Sequence, residues 1–148
     1  MLEEYKKNIL SNTRIDWQCD LEQAFKIYDK FPDSYSVLIP FFFSYMEELI
    51  RSLTSNYHMQ IYEDDKEYVG MPLVEKAIKK NSDNNKLIQL LKEIKKYYEK
   101  SSILNKTYNR NGIVHGYVHP DNWTKETFEQ LIKDINDLQF FCSLWKKY

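Results

Sequence analysis

Lys86-Leu87-Ile88-Gln89-Leu90-Leu91-Lys92-Glu93-Ile94-Lys95-Lys96-Tyr97-Tyr98 decides the fold class. Leu87, Leu90, Leu91, Ile94, Tyr97 and Tyr98 recur at i, i+3, i+4, i+7, i+10 and i+11, which gathers them on one stripe of a helix. Downstream, Thr124 fits an N-cap, and Trp123 before it and Phe128 after it fit a hydrophobic staple. Phe128, Leu131, Ile132, Ile135, Leu138, Cys142 and Trp145 then form a second stripe. Upstream, a short helix is expected from Pro72, which suits a first helical turn, to Asn81, ahead of the polar run Asn81-Ser82-Asp83-Asn84-Asn85. Before it, Tyr57 to Gly70 holds Glu63-Asp64-Asp65-Lys66-Glu67 and no sustained period, so it reads as an exposed acidic loop.

The longest helix is expected from Ser34 or Ser36, as N-cap, to about Asn56, with Pro40 within or near its first turn. Val37 to Met46 is apolar on nearly every side, the mark of a central helix that meets core on more than one face. Ahead of it, Leu21, Ala24, Phe25 and Tyr28 carry a helix over Asp20 to Phe31, closed by Phe31-Pro32. The expected fold is all-α: one antiparallel helical bundle over residues 1–148 with a long acidic loop between central helices.

Composition agrees. The 148 residues are 43 % hydrophobic and 29 % charged, enough to bury ~70 % of the unfolded surface in one domain. Three glycines and four prolines are too few for a turn-rich β-sandwich. Charged Glu3-Glu4 and Lys6-Lys7 stand where a signal peptide would be apolar, and Val37 to Phe43 is far too short to span a bilayer. Cys19 and Cys142 are widely separated, without metal-ligand spacing, and read as reduced thiols, so a cytoplasmic protein is expected.

Chemistry concentrates between the last two helices, in Tyr108-Asn109-Arg110-Asn111-Gly112-Ile113-Val114-His115-Gly116-Tyr117-Val118-His119-Pro120. Arg110 is one of three arginines among twenty-one basic residues. If this segment is helical as far as Gly116, Asn111 and His115 are an i, i+4 pair on one face, with Arg110 on the adjoining one. Gly116 suits the C′ position, which places His115 in the last turn, where the carbonyl end of a helix favours its protonated form. His119 is i+4 from His115, but Gly116 and Pro120 interrupt the helix and no further ligands cluster nearby, so neither a metal nor another cofactor is expected.

Arg110-x4-His115, with a polar residue after the arginine and glycine after the histidine, resembles the motif of the HEPN superfamily (higher eukaryotes and prokaryotes nucleotide-binding). The helix order is also similar, over roughly residues 34–148: an early long helix, then the motif, then one long helix. The resemblance implies a metal-independent endoribonuclease of toxin, abortive-infection or other phage-defence systems. It also implies an RNA substrate and, since each chain brings one such histidine, a homodimer with a composite site. An antitoxin is a possible partner and a membrane is not. Arg110 and His115 would carry catalysis, assisted by Asn111 and by an acidic residue of the early helix. Family position assigns that role to Glu47; helix geometry places Glu48 nearer the core edge and Glu47 further off it. The same scaffold also serves as a catalytically silent module that binds RNA, a nucleotide or a protein.

The net charge of −1 hides a strong asymmetry. Residues 1–75 carry 7 basic and 14 acidic side chains, and residues 76–110 carry 10 and 3. Near neutrality overall therefore does not exclude RNA, and the lysine-rich run from Lys76 to Lys106 is a candidate tracking surface. Lys106, Tyr117 and His119 are further candidates for contact with substrate.

Overall fold

In the computed structural model, residues 1–54, 69–99 and 124–142 are described. They form six α-helices: α1 (Leu2–Asn12), α2 (Ile15–Lys30), α3 (Tyr35–Ser52), α4 (Gly70–Lys80), α5 (Asn85–Lys95) and α6 (Lys125–Phe141). Two 3-10 turns, Pro32–Ser34 and Lys96–Tyr98, lead into α3 and out of α5. No strand occurs among the described residues.

The stripes read from the sequence are the buried faces. Leu87, Leu91, Ile94 and Tyr98 are buried, with Leu90 and Tyr97 packed half-buried against them. On α6, Phe128, Leu131, Ile132, Ile135, Leu138 and Cys142 are buried as one row. Trp145 lies outside the described residues. Between these rows sits α3, buried along two adjacent faces: Leu38, Phe42, Tyr45, Met46 and Leu49 on one, and Ile39, Phe43 and Ile50 beside them. That double burial makes α3 the central helix, as its apolar run implied. One end departs from that reading, for Val37 is 77 % exposed.

Several boundaries differ from expectation for identifiable reasons. The 3-10 turn runs directly into α3, so Ser34 has helical angles and makes no side-chain cap bond. Pro40 is consequently the sixth helical residue, in the second turn. There the helix must do without one amide. α3 ends at Ser52 rather than near Asn56, with Thr54 turning back so that its hydroxyl donates to the Arg51 carbonyl at 2.7 Å. Gly70 belongs to α4 and not to the preceding loop. It opens the helix at φ +59°, in the left-handed region that disfavours any side chain. Val69, just before it, is extended and exposed, and residues 57–68 of the expected acidic loop lie outside the described residues.

Two segments carry more helix than their sequence suggested. α2 begins five residues before Asp20, and Trp17 from that added turn packs on Phe41 and Tyr45 with ring centroids 5.9 and 5.1 Å away. α1 has the stripe Leu2, Tyr5, Lys6, Ile9 and Leu10, with a lysine at a core position. Lys6 is 5 % exposed and is held by Glu3 and Asp29, its ammonium 6.0 Å from the Phe25 ring centroid. Burial alone would lower its pKa, but the two carboxylates prevail and hold it above the ordinary lysine value.

The relation of α1 to α6 departs from an antiparallel order. Tyr5 lies near Lys133, and Gln139 donates from Nε2 to the Ile9 carbonyl at 3.0 Å, so the two helices run side by side in one direction. Gln139 also accepts from the Tyr45 hydroxyl at 3.2 Å, and that hydroxyl is 2.8 Å from Thr13 Oγ1. Because Tyr45 spends its proton on Gln139, Thr13 is the donor in the second contact. This buried chain of polar groups joins α1, α3 and α6, and each member finds a partner.

α6 starts where the sequence placed it. Thr124 Oγ1 accepts from the Thr127 amide at 3.1 Å, satisfying one of the open donors of the first turn. Thr124→Ala is expected to cost about 1 kcal/mol and to lower Tm by roughly 2–4 °C for a domain of this size. Thr124→Ser should retain most of that stability. Thermal melts followed by circular dichroism separate the three proteins, and equal midpoints would mean that the cap contributes nothing.

Candidate functional site

Six of the eight residues singled out from the sequence, Arg110, Asn111, His115, Lys106, Tyr117 and His119, lie outside the described residues. They belong to residues 100–123, between the turn that closes α5 and the cap that opens α6. The two ends of that segment are described. At one end, the Tyr97 hydroxyl donates to Asp134 Oδ2 at 2.5 Å, fastening the turn after α5 onto α6. Asp134 also accepts from Gln130 Nε2 at 2.9 Å. Burial raises the pKa of Asp134 and that of Tyr97, and for Tyr97 the neighbouring carboxylate adds to the shift. The Tyr97 phenol is thus held neutral, as the proton donor of the pair. At the other end, Thr124 fixes the first turn of α6.

Glu47 and Glu48 stand in the last third of α3. Glu48 is the more deeply placed, 9 % exposed, with Oε2 3.7 Å from the Arg51 guanidinium one turn later. Glu47 is half-buried, and its Oε1 is enclosed by surrounding atoms. Helix geometry read from the sequence put Glu48 closer to the core edge, and that order is the one observed. The carboxylate–guanidinium pair is itself well covered, the Arg51 side chain being 20 % exposed. Arg51 was not among the candidates. Its rarity as one of three arginines and its place three and four residues after two glutamates were the available signals.

The end of α3 is also where three elements converge. Ser52 Oγ donates to the Leu49 carbonyl at 2.6 Å and lies 3.5 Å from Cys142 Sγ at the end of α6. Asn81, closing α4, donates from Nδ2 to the Leu53 carbonyl at 3.0 Å and to the Ala77 carbonyl at 2.8 Å. Burial pushes the Cys142 thiol up to about 12, with the Ser52 hydroxyl offsetting a part, so it stays protonated at neutral pH and does not act as a thiolate nucleophile. Cys19 and Cys142 are both free, the first exposed and the second buried.

What this end of the molecule offers chemically is a fixed carboxylate–guanidinium pair on a rigid central helix. Such a pair can orient an imidazole or hold a proton-bearing group. Elsewhere, a cleft of about 460 Å³ opens between α1 and α6, lined by Asn8, Asn12, Asn136, Asp137 and Phe140. None of these was singled out from the sequence. No family model, curated protein or solved structure matches this chain. No described helix is long and apolar enough to cross a membrane.

Proposed function

We propose that this protein is a metal-independent endoribonuclease of the HEPN type, acting as a homodimer in toxin or phage-defence function, with an antitoxin as possible partner. The observation that carries the reading is Arg110-x4-His115, set between two helices and followed by Gly116. Further support comes from the all-helical fold, from the long central α3 bearing Glu47 and Glu48, and from the long α6 directly after the motif segment.

The reaction uses the substrate's own nucleophile. The 2′-oxygen attacks the adjacent phosphorus as a base takes its proton, the bond to the 5′-oxygen breaks, and an acid protonates that leaving oxygen. The products are a 2′,3′-cyclic phosphate and a 5′-hydroxyl. Histidine titrates near neutrality and suits either proton transfer, so two copies of His115 across a two-fold axis fill both roles. Arg110 offers a planar, permanently charged fork to the non-bridging oxygens, where charge accumulates in the transition state. Asn111 donates to the phosphate or to the imidazole, and the α3 carboxylates fix the tautomer of His115.

The test is cleavage of single-stranded RNA by the pure protein in excess EDTA. The expected result is fragments ending in 2′,3′-cyclic phosphate, and no cutting of the same sequence made with 2′-deoxyribose. Intact RNA under all buffer conditions, or equal cutting of the deoxy strand, would overturn the reading.

A further inference from the structure

The described lysines divide into two kinds. Lys6, Lys95, Lys96, Lys125 and Lys133 each pair with a carboxylate. Lys79, Lys80, Lys86 and Lys92 of the α4–α5 hairpin are exposed and enter no ion pair among the described residues; Lys7, Lys26 and Lys30 of α1 and α2 are likewise exposed without an ion pair, but there they share their helices with Glu3, Glu4, Asp20, Glu22 and Asp29. Over residues 70–99 the chain carries seven basic and four acidic side chains. The other described segments carry eight basic and thirteen acidic, so a polyanion approaching them is repelled and one approaching the hairpin is drawn in.

Register brings these lysines together. Lys95 and Glu75 meet at 3.2 Å, which sets α4 and α5 side by side in opposite directions. One turn from that pair toward the hairpin tip, helical spacing brings Lys79 on α4 and Lys92 on α5 to the same side. Lys80 and Lys86 then flank the turn itself, where Ser82 and Asn85 are exposed hydrogen-bonding groups and Asp83 is the one acidic residue. The tip is joined to the candidate site as well, because Asn81 donates to the Leu53 carbonyl just past the end of α3, which bears Glu47, Glu48 and Arg51.

We infer that the tip of the α4–α5 hairpin, through Lys79, Lys80, Lys86 and Lys92, is the surface that holds the backbone of single-stranded RNA. This rests on RNA being the ligand proposed above. Lysines of this kind neutralise phosphates and release counterions, so they govern affinity and its salt dependence without reading sequence.

The test is fluorescence anisotropy with a labelled single-stranded RNA whose 2′-hydroxyls are all methylated, so that it binds but is not cut. For Lys79→Gln/Lys80→Gln/Lys86→Gln, Kd is expected to rise on the order of 10–100-fold, and the slope of log K against log salt to fall by roughly 2, at ~0.7 per phosphate contact. The control is Lys7→Gln/Lys26→Gln/Lys30→Gln, which removes the same charge from α1 and α2, and it should bind within about twofold of wild type. An unchanged Kd in the hairpin variant overturns the inference. So does equal weakening by both variants, or a wild type that ignores this RNA and binds an acidic peptide instead. Binding that is lost in the hairpin variant of a protein that never cuts RNA would sustain the inference and sink the nuclease reading. Cutting by a wild type whose hairpin variant binds as tightly would do the reverse.

Discussion

Arg110→Ala and His115→Ala are each expected to lower RNA cleavage by about 10²–10⁴-fold without changing the thermal midpoint of the protein. The two losses have different origins. Under the proposed mechanism, His115→Ala removes a proton carrier from each half of a two-fold site, and both proton transfers then fall to water. Arg110→Ala removes the charge that opposes the build-up on the phosphorane oxygens. Arg110→Lys keeps the charge but not the planar fork, and should recover only part of the rate. Binding of the methylated RNA should change far less than cleavage in all three variants, because the affinity is assigned to the hairpin lysines. A His115→Ala protein that cuts as fast as wild type would end the enzymatic reading. In Glu48→Gln the paired carboxylate becomes neutral beside Arg51, and under the proposed mechanism, in which the α3 carboxylates act through the imidazole and not on the RNA, the expected loss of rate is nearer tenfold.

Helix extent was most legible in the sequence where a single face of consistently apolar residues is buried. α5 and α6 bury a single stripe each, so periodicity defined them, and Thr124 marked its own helix start through a local bond that needs no tertiary partner. α1 was hidden because Lys6 occupies a core position of its stripe; its burial is made tolerable by Glu3 one turn earlier together with Asp29, 23 residues away on α2, a partner that periodicity along α1 does not show. The first turn of α2 was hidden for a related reason. Its aromatic residue, Trp17, stands between Asp16 and Gln18 and acquires its partners Phe41 and Tyr45 from α3. At the candidate site, Glu47 and Glu48 are adjacent in sequence and about 100° apart on a helix, so spacing ranks them but does not bury them. The depth of Glu48 and Arg51 comes from packing around α3, which a pattern along one helix does not contain.

The same limit applies inside the apolar run, where Val37 and Phe42 look equivalent by composition and differ entirely in environment. Phe42 is fully buried at the junction of three helices, its ring centroid 5.3 Å from Phe25 of α2 and 5.5 Å, edge-on, from Phe128 of α6. Phe42→Ala is expected to cost about 3–5 kcal/mol, because rigid neighbours on three sides collapse only partly into the space left. Against a total of roughly 5–15 kcal/mol for a domain, that is a large share, and at roughly 2–4 °C per kcal/mol the midpoint should fall by about 10 °C. Phe42→Leu keeps most of the volume and loses the ring contacts, so an intermediate loss of roughly 1–2 kcal/mol is expected. Val37→Ala, at a residue 77 % exposed, should shift stability by less than about 0.5 kcal/mol. Urea titrations of the three variants, compared at constant m-value, measure the differences directly. If Val37→Ala cost as much as Phe42→Ala, the first turn of α3 would have to be covered in solution, by a second copy of the chain or by another partner. Repeating the titration over a range of protein concentrations would then show the midpoint of Val37→Ala moving with concentration if that cover is a second copy.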